Sequence, residues 1–143
     1  MTEVFRTASA TLVDAIINHP SVRGTAEGGT YRLESAPLLA QPDNYCYANE
    51  GGCVLFVGLG AATYQGHIFC LEGSRGREAL KLGHGALKCF FDRPVRVKIW
   101  AEVPMVLPAA RWLVRRLGFA SLGIDLEQGV ERFSMETYNG RNH

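Results

Sequence analysis

Hydrophobic residues recur along this chain with two different periods, and the period changes at one basic, glycine-rich loop. From residue 63 to 71, apolar side chains occupy both faces of an extended run. This pattern predicts a central β-strand, because both of its faces would be buried. From about Glu78 to Phe91, apolar residues recur at helical spacing. Between these elements lies the loop Gly73-Ser74-Arg75-Gly76-Arg77, so the pattern predicts a strand, a tight loop and a helix in direct succession.

Other stretches of the chain repeat one of these two periods. Residues 8–18 and 109–117 predict amphipathic helices, and Thr7 or Ser9 is placed to cap the first of them. Further strands are predicted over residues 45–49, 53–59, 95–103, 119–127 and 130–138. Helices and strands therefore alternate along the chain, with hairpins near its middle and its end.

Glycine and proline mark the less regular positions. Residues 21–43 contain several of both and predict a loop with one helical turn. Gly51 and Gly52 predict a hairpin turn with positive φ. Gly83 falls on the apolar stripe of the helix that begins near Glu78, where glycine costs about 1 kcal/mol relative to alanine. We therefore expect this helix to approach the sheet closely at Gly83.

Composition places the chain among ordinary globular proteins. It has 143 residues, 47% hydrophobic and 20% charged, which predicts one domain over residues 1–143. A formal net charge of +1 gives no overall attraction to nucleic acid, so nucleic acid is not the expected partner. We find no apolar run of about 18 residues and no signal-peptide plan, which predicts a cytoplasmic protein with no membrane partner.

Cysteine and histidine spacing does not indicate a metal site. The four cysteines form no C-x-x-C pair and share no zinc-like spacing with the four histidines. Reduced thiols in the core are the expected state. They are Cys46, Cys53, Cys70 and Cys89.

The loop at residues 73–77 has the chemistry of an anion site. The first N–H groups of a helix lack partners within the helix and carry about half a positive charge together. Glycine allows the backbone to approach a phosphate closely, and Arg75 and Arg77 add charge. Neither G-x-x-x-x-G-K-[ST] nor G-x-G-x-x-G occurs here, so the ligand is not identified. A plain strand-to-helix turn with solvated arginines remains the alternative.

The succession of a strand, R-G-R-E-A-L, a helix, a further strand and Leu117-Gly118-Phe119 resembles the GNAT acyltransferase superfamily over residues 44–138. The resemblance implies an α/β (α+β) fold with a mixed, mostly antiparallel sheet flanked by helices. It also implies acetyl-CoA, or another acyl-CoA, as cofactor. The residues that would bind this cofactor are Leu71, Gly73, Ser74, Arg75, Gly76 and Arg77. With Gly76 as the central glycine, the loop departs from the family pattern Q/R-x-x-G-x-G/A at both ends, because Gly73 stands at the first position and Glu78 at the last.

The resemblance further implies that strands 63–71 and 95–103 splay apart around the pantetheine arm, with a general base nearby. His67 and Glu102 are the candidates, and His67 has the better matched pKa, about 6.5 when unperturbed. A hydrogen-bonded structural histidine and an ion-paired Glu102 are the alternatives. The tyrosine that often protonates the leaving thiolate is missing from residues 107–119, and Tyr138 or water would have to replace it.

Two functions follow from this resemblance. One is acyl transfer to a small-molecule or protein amine. The other is a catalytically silent GNAT-like binding module. A narrower similarity to small GNAT-like proteins of tailed bacteriophages, carried by Asn18-His19-Pro20, implies an accessory or virion-associated role for such a module. It would place the protein in the cytoplasm of a phage host. A second copy of the chain is a further candidate partner.

Overall fold

A computed structural model describes residues 3–23, 32–93 and 96–138 of the chain. Within these residues the strands are β1 (Phe5–Arg6), β2 (Tyr45–Asn49), β3 (Gly52–Gly60), β4 (Thr63–Cys70), β5 (Lys98–Pro104), β6 (Ala120–Asp125) and β7 (Val130–Met135). They form one sheet in the order β1-β2-β3-β4-β5-β7-β6. Neighbouring strands are antiparallel except β4 and β5, which are parallel. The mixed, mostly antiparallel sheet is confirmed, and so is the central position of β4.

Helices cover both faces of this sheet. They are α1 (Ala10–Ile17), α2 (Pro20–Arg23), α3 (Ala36–Leu39), α4 (Arg77–Phe91) and α5 (Pro108–Arg116). The Ser9 hydroxyl caps α1 by accepting a hydrogen bond from the Leu12 N–H at 3.2 Å. Gly118 follows α5 with a φ of +103°, a conformation that ends a helix and that glycine adopts without strain.

The core lies in two layers, one on each face of the sheet. α4 and α5 cover one face, where Phe56 of β3 stacks on Phe90 of α4 with 4.2 Å between the ring centroids. α1 covers the other face over β2 and β3, and its Val13 belongs to the same apolar cluster as Cys46 and Leu55. The part of the sheet formed by β5, β7 and β6 has α5 on one face. Alternation along each strand therefore decides which layer a side chain enters.

The turn between β2 and β3 differs from the expectation. Gly51 and Gly52 do not have positive φ. Instead, a Cβ on Gly52 would lie 2.2 Å from the Phe69 carbonyl oxygen, and a Cβ on Gly51 would lie 2.5 Å from the Ser74 hydroxyl. Close approach of neighbouring chain segments, and not backbone conformation, makes glycine necessary at both positions.

Gly83 is buried in α4, as the apolar stripe predicts, but its close neighbour is not the sheet. A Cβ on Gly83 would lie 2.7 and 2.8 Å from the two methyl groups of Leu117, which follows α5 directly. The close packing is therefore between two helical segments that lie on the same face of the sheet. Leu82, one residue earlier on α4, is also buried although it lies outside the predicted stripe.

The irregular stretch contains more helix than predicted. Two short helices, α2 and α3, lie in the described parts of residues 20–43, where one turn was expected. Residues 24–31 of this predicted loop lie outside the described residues. No helix in the described ranges is long and apolar enough to cross a membrane. Among the cysteines, Cys46 and Cys53 are buried, as expected of core thiols. Cys89 is exposed on α4, so the expectation that it lies in the core is wrong.

Candidate functional site

β4 and β5 pair over a short distance and then separate. Their parallel register joins Thr63 with Lys98, Tyr64 with Ile99 and Gln65 with Trp100, and it ends there. Both strands continue, β4 to Cys70 and β5 to Pro104. Residues 66–70 of β4 pair on their other side with β3, while the side that faces β5 is open. The splay that the resemblance implies is therefore present, and it opens towards the loop after β4.

The loop at residues 71–77 is attached to the β2–β3 turn. The Leu71 N–H donates to the Gly51 carbonyl oxygen at 2.9 Å, and the Ser74 N–H donates to the Leu71 carbonyl oxygen at 2.9 Å. Ser74 lies directly against Gly51, where a side chain on that glycine would collide with it. The close turn between β2 and β3 therefore positions the loop at the open end of the splay.

Gly76 is the N-cap residue of α4 and has a φ of +71°, which favours glycine. No side chain caps this end of the helix, so its first N–H groups point outward from the loop. A Cβ on Gly73 or Gly76 would meet no atom within 4 Å. The space above both glycines is open to a ligand, and it lies at the positive end of the helix dipole.

The two arginines of the loop have different surroundings. Arg75 donates a hydrogen bond from its guanidinium group to the Ser21 carbonyl oxygen of α2 at 2.6 Å. The Ser21 hydroxyl accepts a hydrogen bond from the Glu72 N–H at 3.2 Å. Arg77 begins α4 and is exposed on its outer face. Arg75 therefore connects the loop to α2, and its remaining N–H groups are available to an anion, as is the whole of Arg77.

His67 and Glu102 occupy equivalent positions on the two diverging strands. Each lies two residues beyond the last pair, Gln65 and Trp100, on the face of the sheet opposite α4 and α5. Burial lowers the pKa of His67, and the nearby charge of Glu102 raises it by a smaller amount. The imidazole is half-buried and neutral at pH 7, the state in which it accepts a proton.

Glu102 forms part of a chain of ion pairs on this face. Its carboxylate accepts a hydrogen bond from Arg132 Nε at 2.7 Å, and the same guanidinium donates to Asp125 at 2.8 Å. Glu102 is exposed. Its charge is therefore compensated by Arg132, and His67 is the better placed of the two candidates for proton transfer.

Tyr138 does not lie near the splay. β7 runs antiparallel to β5, with Val130 opposite Pro104 and Met135 opposite Ile99. Tyr138 therefore lies beyond the first residues of β5, at the end of the sheet away from the opening. Its hydroxyl is 2.6 Å from His84 Nδ1 on α4. The suggestion that Tyr138 replaces the missing tyrosine is wrong for this reason.

A buried ionic cluster holds α5 against the sheet. Glu131 of β7 is 1% exposed and accepts hydrogen bonds from Arg111 Nε at 2.9 Å, from Arg115 and from the Ser121 hydroxyl at 2.6 Å. These bonds lower its pKa, the one from Ser121 most. The cluster fixes the orientation of α5, the helix that follows β5, against β7. Sequence patterns did not identify it, because the partners of Glu131 lie 10 to 20 residues away from it in the chain, on α5 and β6.

No protein-family model matches this chain, and no curated protein matches it. Solved structures do match. They include a spermidine N-acetyltransferase from Vibrio cholerae in complex with CoA and spermine, with a TM-score of 0.72, 16% identity and coverage of 93% of this chain and 95% of the other. The protein yncA from Salmonella typhimurium, solved with acetyl-CoA, has a TM-score of 0.67, 14% identity and coverage of 95% and 94%. A domain from Methanocaldococcus jannaschii has a TM-score of 0.71, 11% identity and coverage of 96% and 100%. At these identities the likeness concerns the fold, which is the GNAT fold over nearly the whole chain.

Proposed function

We propose that this chain, which has the fold of the GNAT acetyltransferases, binds an acyl-CoA and transfers the acyl group to an amine. The observation that carries the proposal is the opening between β4 and β5 beside the loop at residues 73–77. A strand edge without a partner offers backbone N–H and C=O groups to the amides of a pantetheine arm. An uncapped helix start with two open glycines suits the pyrophosphate.

The residues around the opening fit such a cofactor. Space above Gly73 and Gly76 allows a phosphate to approach the backbone. Arg75 and Arg77 stand on either side of Gly76 and supply charge-assisted hydrogen bonds. When bound, the cofactor would supply the acyl group as a thioester. Its pantetheine arm would pass along residues 66–70 of β4, towards His67.

His67 is the general base in this proposal. Its lowered pKa keeps the imidazole neutral, so it accepts the proton that the amine loses as the new C–N bond forms. The charge of Glu102 raises the pKa of His67 by less than burial lowers it, and the Glu102 carboxylate is itself bound by Arg132. The acceptor is a small-molecule or protein amine. Spermidine and spermine, named with the Vibrio cholerae structure, belong in the first panel of amines to be tested.

Two measurements on the intact chain test the proposal. Calorimetry with acetyl-CoA measures binding, and release of free CoA thiol with a panel of amines, checked by the mass of the product, measures transfer. We expect saturable binding and an acetylated amine, with a slower release of thiol when the amine is omitted. Binding without transfer to any amine would favour a silent binding module. Failure to bind acetyl-CoA would refute both functions.

A further inference from the structure

A groove of about 850 Å³ runs along the outer face of α4, away from the splay. It follows one stripe of the helix at positions 77, 81, 84 and 88, which face the same side because they are separated by three or four residues. Arg116, the last residue of α5, and Tyr138, three residues after β7, complete its lining. We call this the outer groove; its charged and aromatic lining includes Arg77, Lys81, Lys88, Phe91, Arg116 and Tyr138.

The charge of the outer groove is one-sided. Four cations line it, from α4 and from the last residue of α5, and Asp92 is the acidic residue among its lining. Lys81 has a partner in Glu78 at 3.4 Å, but both side chains are about half exposed, so this pair holds the lysine weakly. The whole chain has a formal net charge of only +1. With four cations and one carboxylate, the groove is therefore more positive than the chain as a whole.

Two aromatic rings line the groove at its far end, where α4 ends. Phe91 and Tyr138 are stacked with 6.2 Å between the ring centroids and an angle of 22°. The bond between the Tyr138 hydroxyl and His84 Nδ1 fixes the orientation of the tyrosine ring. Both rings are half-buried and line the groove. A preoriented aromatic pair thus lines the groove together with Lys88 and Asp92.

The far end of the groove is separate from the proposed cofactor site. Residues 77 and 91 are 14 positions apart on one helix, about 21 Å at 1.5 Å per residue. Tyr138 lies at the end of the sheet opposite to the opening between β4 and β5. A CoA that occupied the splay and the loop would reach the Arg77 end of the groove at most.

We propose that the outer groove binds a nucleotide, with its phosphates against Lys88 and Arg116 and its base on the Phe91–Tyr138 surface. Cations attract phosphate, and aromatic faces stack on any base. The volume lies within the range of about 300–1,000 Å³ that is usual for small-ligand sites. A longer nucleic acid is a poorer fit, because the rest of the chain adds no positive field. This site is independent of the proposed acyl transfer.

Two ligands could bring an adenine nucleotide to this groove, a free nucleotide or the nucleotide part of CoA. The experiment therefore distinguishes between them. ATP, AMP, adenosine and inorganic phosphate are titrated into the intact chain by calorimetry, with and without saturating acetyl-CoA. We expect one ATP per chain in both conditions. Adenosine and phosphate should each bind at least tenfold more weakly than ATP, because each makes half of the contacts.

Variants locate the site. Lys88→Ala with Arg116→Ala should weaken ATP binding at least tenfold and leave acetyl-CoA binding unchanged, and both residues are exposed, so the fold should persist. Tyr138→Leu should weaken AMP and adenosine without affecting phosphate. Arg32→Ala, an exposed cation outside the groove, is the matched control. The proposal is overturned if ATP does not bind at millimolar concentration, if acetyl-CoA displaces it, or if the folded double variant, checked by circular dichroism, binds it as the parent does.

Discussion

Replacing Gly83 with leucine tests the contact that positions α4 against α5. Gly83 is buried, and the methyl groups of Leu117 lie 2.7 and 2.8 Å from the place where a Cβ would be. Real Cβ atoms do not approach other atoms this closely, so a larger side chain must displace Leu117. Leu117 is itself 7% exposed and belongs to the main apolar cluster, so it has little room to move.

Two effects of the substitution oppose each other. Leucine in place of glycine favours the helix by about 0.8 to 1 kcal/mol. Overpacking a well-packed core costs typically about 1 to 3 kcal/mol, and sometimes more. The Cβ alone already collides, and leucine adds three further carbon atoms that need space. We therefore expect overpacking to dominate, with a net loss of about 1 to 3 kcal/mol in the free energy of unfolding.

Urea denaturation followed by circular dichroism measures this loss. Lys88→Leu, at an exposed position of the same helix, is the control and should change stability by less than about 0.5 kcal/mol. The double variant Gly83→Leu with Leu117→Ala should lose less stability than the sum of the losses in the single variants. The alanine makes space for the new leucine, and the leucine fills the cavity that the alanine leaves, so we expect a coupling energy of about 0.5 to 3 kcal/mol. A Gly83→Leu variant more stable than the parent, or strictly additive losses, would refute the argument.

Three further predictions concern the proposed site and its support. His67→Gln should reduce the rate of acyl transfer at least a hundredfold, within the general-base range of about 10² to 10⁴, while acetyl-CoA affinity measured by calorimetry stays the same. Because burial lowers the pKa of His67, the rate of the parent protein should rise with pH below about pH 6.5. Arg75→Ala with Arg77→Ala should weaken acetyl-CoA binding by about 2 to 4 kcal/mol in a folded variant, and Arg75→Ala alone should also loosen the contact with Ser21. Glu131→Gln should lower the melting temperature at pH 7 and should reduce the fall in melting temperature between pH 7 and pH 3.

The controls for these predictions differ. Near-parental turnover of His67→Gln would assign that histidine a structural role. Unchanged acetyl-CoA affinity in the double arginine variant would remove the pyrophosphate from this loop. For Glu131 the sign follows from its lowered pKa: the stabilisation is present above the unfolded pKa of about 4.3 and is lost as the pH falls through the folded value. An equal fall in the parent and in Glu131→Gln would show that other carboxylates cause the acid destabilisation.

Local patterns determined most of the secondary structure. Alternating Val97, Ile99 and Ala101 predict the buried face of the strand expected over residues 95–103. All three are buried, although β5 itself begins at Lys98. The change of period at residues 73–77 predicts the strand, loop and helix that border the proposed site, and these elements are β4, the loop and α4. These features depend on neighbours two to four residues away, which the sequence displays directly.

Tertiary structure decided which side chains meet. The sequence shows glycine at positions 83, 51 and 52 but not why glycine is needed there. A side chain at these positions would collide with Leu117, with Ser74 and with the Phe69 carbonyl oxygen, respectively, each in a distant part of the chain. Arg75 looks like a free cation of an anion site, and only the folded chain brings it to Ser21, 54 residues away. Tyr138 looks available to the splay, and the antiparallel register of β7 places it at the opposite end of the sheet. Such contacts depend on how strands are ordered and registered, and a periodic pattern carries no information about which distant element packs against it.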